Sequence, residues 1–136
     1  MGVFEGLKPE AVWGYFEEIC QVPRPSKKEG KIIAYLLDWA KKHNLEAKRD
    51  DAGNVLIKKP ATKGKENAPT VILQAHMDMV CEKNNDSDHD FSKDPIELIE
   101  EDGFLHANKT TLGADDGVGV CYMLALLDDE SLKHPA

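Results

Sequence analysis

Apolar residues run unbroken through Val71-Ile72-Leu73, and the segment closes in Gln74-Ala75-His76-Met77-Asp78. An uninterrupted apolar run of this length predicts a strand buried on both faces, Thr70 to Ala75, at the centre of a mixed sheet. His76 and Asp78 are two residues apart, so in extended chain their side chains point the same way. They would face one site just past the carboxyl end of the strand, where ligands sit in open α/β sheets. A second polar knot follows at Gly113-Ala114-Asp115-Asp116-Gly117.

The flanking patterns supply helices and short strands. Val12, Phe16, Ile19 and Cys20 recur at helical spacing behind Pro9, which suits the first position of a helix. After Val22-Pro23-Arg24-Pro25, the stretch Ser26-Lys27-Lys28-Glu29 has the form of a capping box, with Ser26 as N-cap. Ile32, Ile33, Leu36, Leu37 and Ala40 form the apolar face of that second helix, and Asn44 is its expected stop. Leu45 to Arg49 and Asn54 to Lys58 predict strands around an Asp-Asp-Ala-Gly turn. Glu97 to Ile99 and Phe104 to His106 can pair across Glu101-Asp102-Gly103. Val118, Val120, Cys121, Met123, Leu124, Leu126 and Leu127 predict a well-buried last helix. The fold class is α/β, a mixed central sheet flanked by helices.

Composition narrows the field. The chain has 136 residues, enough for one domain, and its 41% hydrophobic and 31% charged content is that of an ordinary globular protein. Its formal net charge of −8 speaks against nucleic acid and anionic membrane surfaces, both of which select basic patches. Cys20, Cys81 and Cys121 have no paired spacing, which predicts reduced thiols and a cytoplasmic protein. No signal peptide and no apolar run of membrane-spanning length is expected.

A lone histidine at a strand end is most often a hydrogen-bonded structural group. Asp78 on the same face alters that reading, because a metal-bound imidazole usually gives its other ring N–H to a carboxylate. Asp115 and Asp116 have a plain reading as helix caps. Their neighbours are small or apolar, however, and glycines let backbone approach a ligand closely. One carboxylate has two oxygens and can bridge two cations.

These residues carry a resemblance. Val22-Pro23-Arg24-Pro25-Ser26, Asp51-Ala52-Gly53-Asn54-Val55, Leu73 to Val80, Asp90-Phe91 with Asp94-Pro95-Ile96, and Thr110 to Asp115 together resemble the amino-terminal part of the aminoacyl-histidine dipeptidases, within the dizinc exopeptidases. The resemblance implies metal-dependent hydrolysis of dipeptides, Xaa-His among them. It implies two divalent metal ions, zinc first, with manganese or cobalt as alternatives. His76 is then a ligand of one metal, Asp115 the carboxylate bridging both, and Asp78 the catalytic-site carboxylate that orients His76. A cis peptide after Asp115 is also implied, as is a homodimer for the full-length enzyme. Lys109 stands where relatives usually have Gly.

Residues 1–136 are accordingly expected to be the amino-terminal portion of a metallopeptidase catalytic domain. The general-base glutamate, the remaining ligands and the lid domain would lie beyond Ala136, and the isolated chain should be inactive. Asp129-Glu130 is read as solvated surface rather than a substitute. Two other functions compete. Asp86, Asp88 and Asp90, with Glu97 eleven residues after Asp86, mimic a calcium loop, although Phe91 replaces its turn glycine and Pro95 falls inside it. A catalytically silent domain that retains the fold is the third reading.

Overall fold

The computed structural model describes residues 2–136. Three helices and two small sheets follow one another as α1 (Glu10–Cys20), α2 (Gly30–Lys42), β1 (Glu46–Arg49), β2 (Val55–Lys58), β3 (Leu98–Glu101), β4 (Phe104–Ala107) and α3 (Ala114–Asp128). The helical periodicity translates directly into burial. Val12, Phe16, Ile19 and Cys20 are the buried residues of α1. In α2 they are Ile32, Ile33, Leu36, Trp39 and Ala40, so Trp39 takes the core position expected of Leu37. Apart from Ile33, these residues meet Val120, Cys121 and Leu124 of α3 in one core, which also takes in Phe4, Met79, Ile96 and Ala107.

The α/β class holds, but the sheet does not take the expected form. β1 pairs antiparallel with β2, and β3 with β4, as two separate hairpins. Turn chemistry explains both. Gly53 has φ 92° in the first turn, and Asp102 and Gly103 both have positive φ in the second, which is the backbone a tight hairpin requires. Thr70–Ala75 is not a strand and pairs with neither hairpin. Its one backbone bond to a distant residue runs from the Val71 N–H to the Ala136 carbonyl, 2.9 Å. Val71, Ile72 and Leu73 are exposed, Ile72 by 83%. A buried strand needs partners on both edges to take its N–H and C=O groups. Each hairpin pairs only within itself, and among the described residues no strand lies alongside this run to take its backbone groups.

Helix boundaries shift for similar reasons. Pro9 precedes α1 as its N-cap rather than opening it. Ser26 does not cap α2, which begins at Gly30 behind Glu29. Its hydroxyl is drawn away to Asp78 instead, while Glu29 accepts from the Lys27 N–H at 2.6 Å. Asn44, with φ 56°, does end α2 in the left-handed conformation expected of such a stop. α3 is half-buried rather than fully buried, since Tyr122 and Leu126 face outward. Among the described residues no helix is long and apolar enough to cross a membrane.

Candidate metal centre

His76 and Asp78 are carried on irregular chain whose position is set from the side. The Met79 N–H donates to the Arg24 carbonyl at 2.9 Å, and the Ser26 N–H donates to the Met79 carbonyl at 3.2 Å. This parallel bridge, Pro25 against Met79, fixes the segment that sequence reading treats only as a helix break. Met79 is buried, so its neighbours are pinned by the core. The Ser26 hydroxyl then donates to Asp78 Oδ2 at 2.5 Å. That bond is the main reason the Asp78 carboxyl sits below the usual carboxylate range, with the nearby His76 ring reinforcing it against partial burial.

The His76 ring lies between two aspartates. Nδ1 is 3.1 Å from the Asp78 carbonyl oxygen and 3.2 Å from Asp78 Oδ1. The aligned hydrogen bond is the one to the carbonyl, and the carboxylate adds its charge alongside. Nε2 is 3.1 Å from Asp115 Oδ1, a contact that joins positions 39 residues apart. Burial acts to lower the His76 pKa. The Asp115 bond, the Asp78 carbonyl and the two carboxylate charges outweigh it and raise the value above that of a free imidazole.

Asp115 and Asp116 are joined by a cis peptide and divide the roles that sequence leaves open. Both have non-helical backbone angles, so regular α3 begins after them. Asp116 Oδ1 accepts from the Gly119 N–H at 3.2 Å, the geometry of an N-cap. Gly119 is required there, because a Cβ would run into the Asp116 carboxylate. Asp115 is left with its side chain 98% exposed, bonded only to His76.

The donor pair suits a divalent cation. Two ligand atoms about 2.0–2.1 Å from a tetrahedral zinc stand about 3.3 Å apart. The 3.1 Å between His76 Nε2 and Asp115 Oδ1 is close to that spacing. The second oxygen of Asp115 makes no bond, as a bridging carboxylate would need. The set is incomplete, however. Among the described residues no group of three or more His, Cys, Asp or Glu side chains is arranged to hold a metal. His106 pairs with Glu101 at 3.5 Å in the second hairpin and does not join the pair. Asp129 and Glu130 lie past the far end of α3, roughly 18 Å away at 1.5 Å per residue.

The calcium-loop carboxylates do not converge either. Asp86 pairs with Lys109 Nζ at 2.7 Å, and Glu97 accepts from Asn108 Nδ2 at 2.8 Å. Asp90 accepts from the Ser92 N–H and hydroxyl, which hold its pKa down at about 2.

Two neighbours of this pair are not legible in the sequence. Ser26 looked like a helix cap, and only the Pro25–Met79 bridge reveals its partner as Asp78. Arg24 looked like part of a proline-rich break, yet it is a charged side chain buried to 2% exposure.

No protein-family profile matches the chain. Over 134 residues, 98% of its length, it is 46% identical to the cytosol non-specific dipeptidase of Escherichia coli (strain K12), of which this stretch makes up 28%. Its fold matches aminoacylhistidine dipeptidase from Vibrio alginolyticus with a TM-score of 0.94 and 45% identity, covering 98% of this chain and 27% of that one. Aminopeptidase PepT from Bacillus cereus matches with a TM-score of 0.73 and 26% identity, over 93% of this chain and 34% of that one. A tripeptidase from Staphylococcus aureus shares the fold, with a TM-score of 0.73 at 23% identity. The chain thus resembles peptidases in sequence and backbone along nearly all of its own length, and it spans between about a quarter and a third of theirs.

Proposed function

We propose that this chain forms one wall of a metal-dependent dipeptidase centre in which His76 and Asp115 are metal ligands and Asp78 orients His76. The observation that supports this best is the His76 Nε2 to Asp115 Oδ1 approach, with Nδ1 of the same ring engaged by Asp78. A ring held at one nitrogen and offered at the other is the arrangement of a metal-binding histidine. Bound divalent ions, zinc by preference, would supply a nucleophile at neutral pH and Lewis acidity toward the scissile carbonyl.

The residues at hand divide the remaining work. Ser26 fixes the Asp78 carboxylate, and Asp78 holds His76 Nδ1 as an N–H donor, so that Nε2, which donates to Asp115 in the metal-free chain, would give up its proton and turn its lone pair to a bound cation. Asp115 projects its free oxygen away from the backbone, with Asp116 tied into the helix cap behind it. The dipeptide substrate, including Xaa-His, follows from the relatives that act on such peptides. So does a cytoplasmic setting, which the unpaired cysteines suit.

Catalysis needs more than this. A catalytic zinc keeps about three protein ligands, and a general base must lie within reach of the nucleophile. His76 and Asp115 supply two ligand residues, and no uncommitted glutamate lies beside them. The further ligands and the base therefore come from outside these residues, and the chain alone turns over no dipeptide. The test is an assay of purified 136-residue chain on a panel of dipeptides with added zinc, manganese or cobalt, beside the full-length dipeptidase. Metal-dependent turnover near the full-length rate, lost in His76→Ala, would refute this assignment of parts.

A further inference from the structure

The guanidinium of Arg24 sits behind the candidate centre, 2% exposed, and among the described residues it forms no ion pair. Its partners are main-chain carbonyls. Nη2 donates to the Gly113 carbonyl at 2.8 Å, while Nη1 reaches the carbonyls of Met77 at 3.4 Å and Asp78 at 3.5 Å. Nε has no partner. Packing alone does not account for such a residue, because burying a charge without a counter-ion is costly and an apolar side chain fills the same space more cheaply.

The fork explains what the charge achieves. One prong holds the chain beside His76 and Asp78, and the other holds Gly113, two residues before Asp115. These are the two segments that contribute the two ligands, and they are far apart in sequence. The planar guanidinium sets their separation in a way that a point-charge lysine cannot. The fit is tight as well: a Cβ on Gly113, whose φ is 77°, would stand 2.6 Å from Nη2, and one on Gly117 would stand 2.9 Å from it.

We infer that Arg24 is a positioning residue that clamps the Met77–Asp78 and Gly113 backbones and so sets the distance between His76 and Asp115. The inference rests on the metal-centre reading above, and two readouts separate their fates. The first is the nuclear Overhauser contact between the His76 ring and the Asp115 β protons in metal-free 136-residue chain. The second is cobalt(II) affinity, followed by visible absorption, in the full-length dipeptidase carrying the same substitutions, where the remaining ligands are present. Arg24→Lys keeps charge and loses the fork. While retaining helical circular dichroism it should lose the His76–Asp115 contact and weaken cobalt binding about 10–100-fold, the range for residues that orient ligands. Arg24→Met should do the same. If neither variant folds, Gly117→Ala, at a position without positive φ, leaves Arg24 in place but displaces its guanidinium, and the same two losses are expected.

A folded Arg24→Lys chain with the ring contact intact and wild-type cobalt affinity would overturn the inference. So would a folded Gly117→Ala protein with both readouts unchanged. A wild-type full-length dipeptidase that binds no cobalt would instead refute the metal-centre reading, and the ring contact in the variants of the 136-residue chain would still decide whether Arg24 sets the geometry.

Discussion

Replacing Asp78 by Asn probes how His76 is held. The substitution preserves shape and leaves the Asp78 carbonyl, which accepts the aligned bond from Nδ1 at 3.1 Å. What it removes is the negative charge of Oδ1, 3.2 Å from the same nitrogen. Removing an orienting carboxylate typically costs about 10–100-fold in metal affinity. Two features of the structure favour the lower end. The carbonyl bond survives, and the pair is partly solvated, with the His76 side chain 49% and the Asp78 side chain 31% exposed, so its charge is well screened. The expected loss is about 10-fold, or about 1.4 kcal/mol. The assay is a zinc titration of full-length dipeptidase, wild-type and Asp78→Asn, against a chromophoric chelator, with His76→Ala as the reference for loss of a ligand. Affinity indistinguishable from wild type would mean that the carbonyl alone orients the ring and that Asp78 is a turn residue. A loss as large as that of His76→Ala would point to Asp78 as a ligand in its own right.

Metal uptake should also depend on pH through His76. Its pKa is raised above the ordinary imidazole value, so a proton occupies the ring to a higher pH than in a free histidine and competes with metal there. Affinity should rise as pH passes upward through the raised value and then level off, with about one proton released per ion bound; a titration flat across that range would contradict it. In the metal-free chain the sign is opposite. The contribution of His76 to stability is fully present below its unfolded pKa of about 6.5 and is lost as pH rises through the folded value, which denaturation midpoints at several pH values would register. Lys109 offers a backbone test away from the centre. Its φ of 58° lies in the left-handed region, which costs a non-glycine residue about 1–2 kcal/mol, and its exposed pair with Asp86 is screened by solvent and offsets little of that. Lys109→Gly should be near wild type in urea denaturation and Lys109→Ala about 1 kcal/mol less stable than Lys109→Gly; equal stability of the two variants would refute the backbone argument.

The sequence by itself determined the elements whose signals are local. Val12, Phe16, Ile19 and Cys20 fall on one face of α1 because helical periodicity needs no partner to be legible. Asn44 and Asp102-Gly103 announce a helix end and a hairpin turn through their tolerance of positive φ. His76, Asp78 and Asp115 were legible too, as residue types at suggestive spacings and through the resemblance to dipeptidases. Tertiary structure decided what each of them touches. Ser26 had the pattern of a cap and became the anchor of Asp78, because the Pro25–Met79 bridge brought a stronger acceptor within reach. Asp115 and Asp116 shared the plain reading of helix caps, and only the resemblance set Asp115 apart. They separate into an exposed donor beside His76 and a helix cap because the backbone at both is non-helical. Val71-Ile72-Leu73 had the pattern of a buried strand and lies exposed. Apolar content states what a segment can bury, but only a strand placed alongside it turns it into sheet, and among the described residues neither hairpin lies in register with this run.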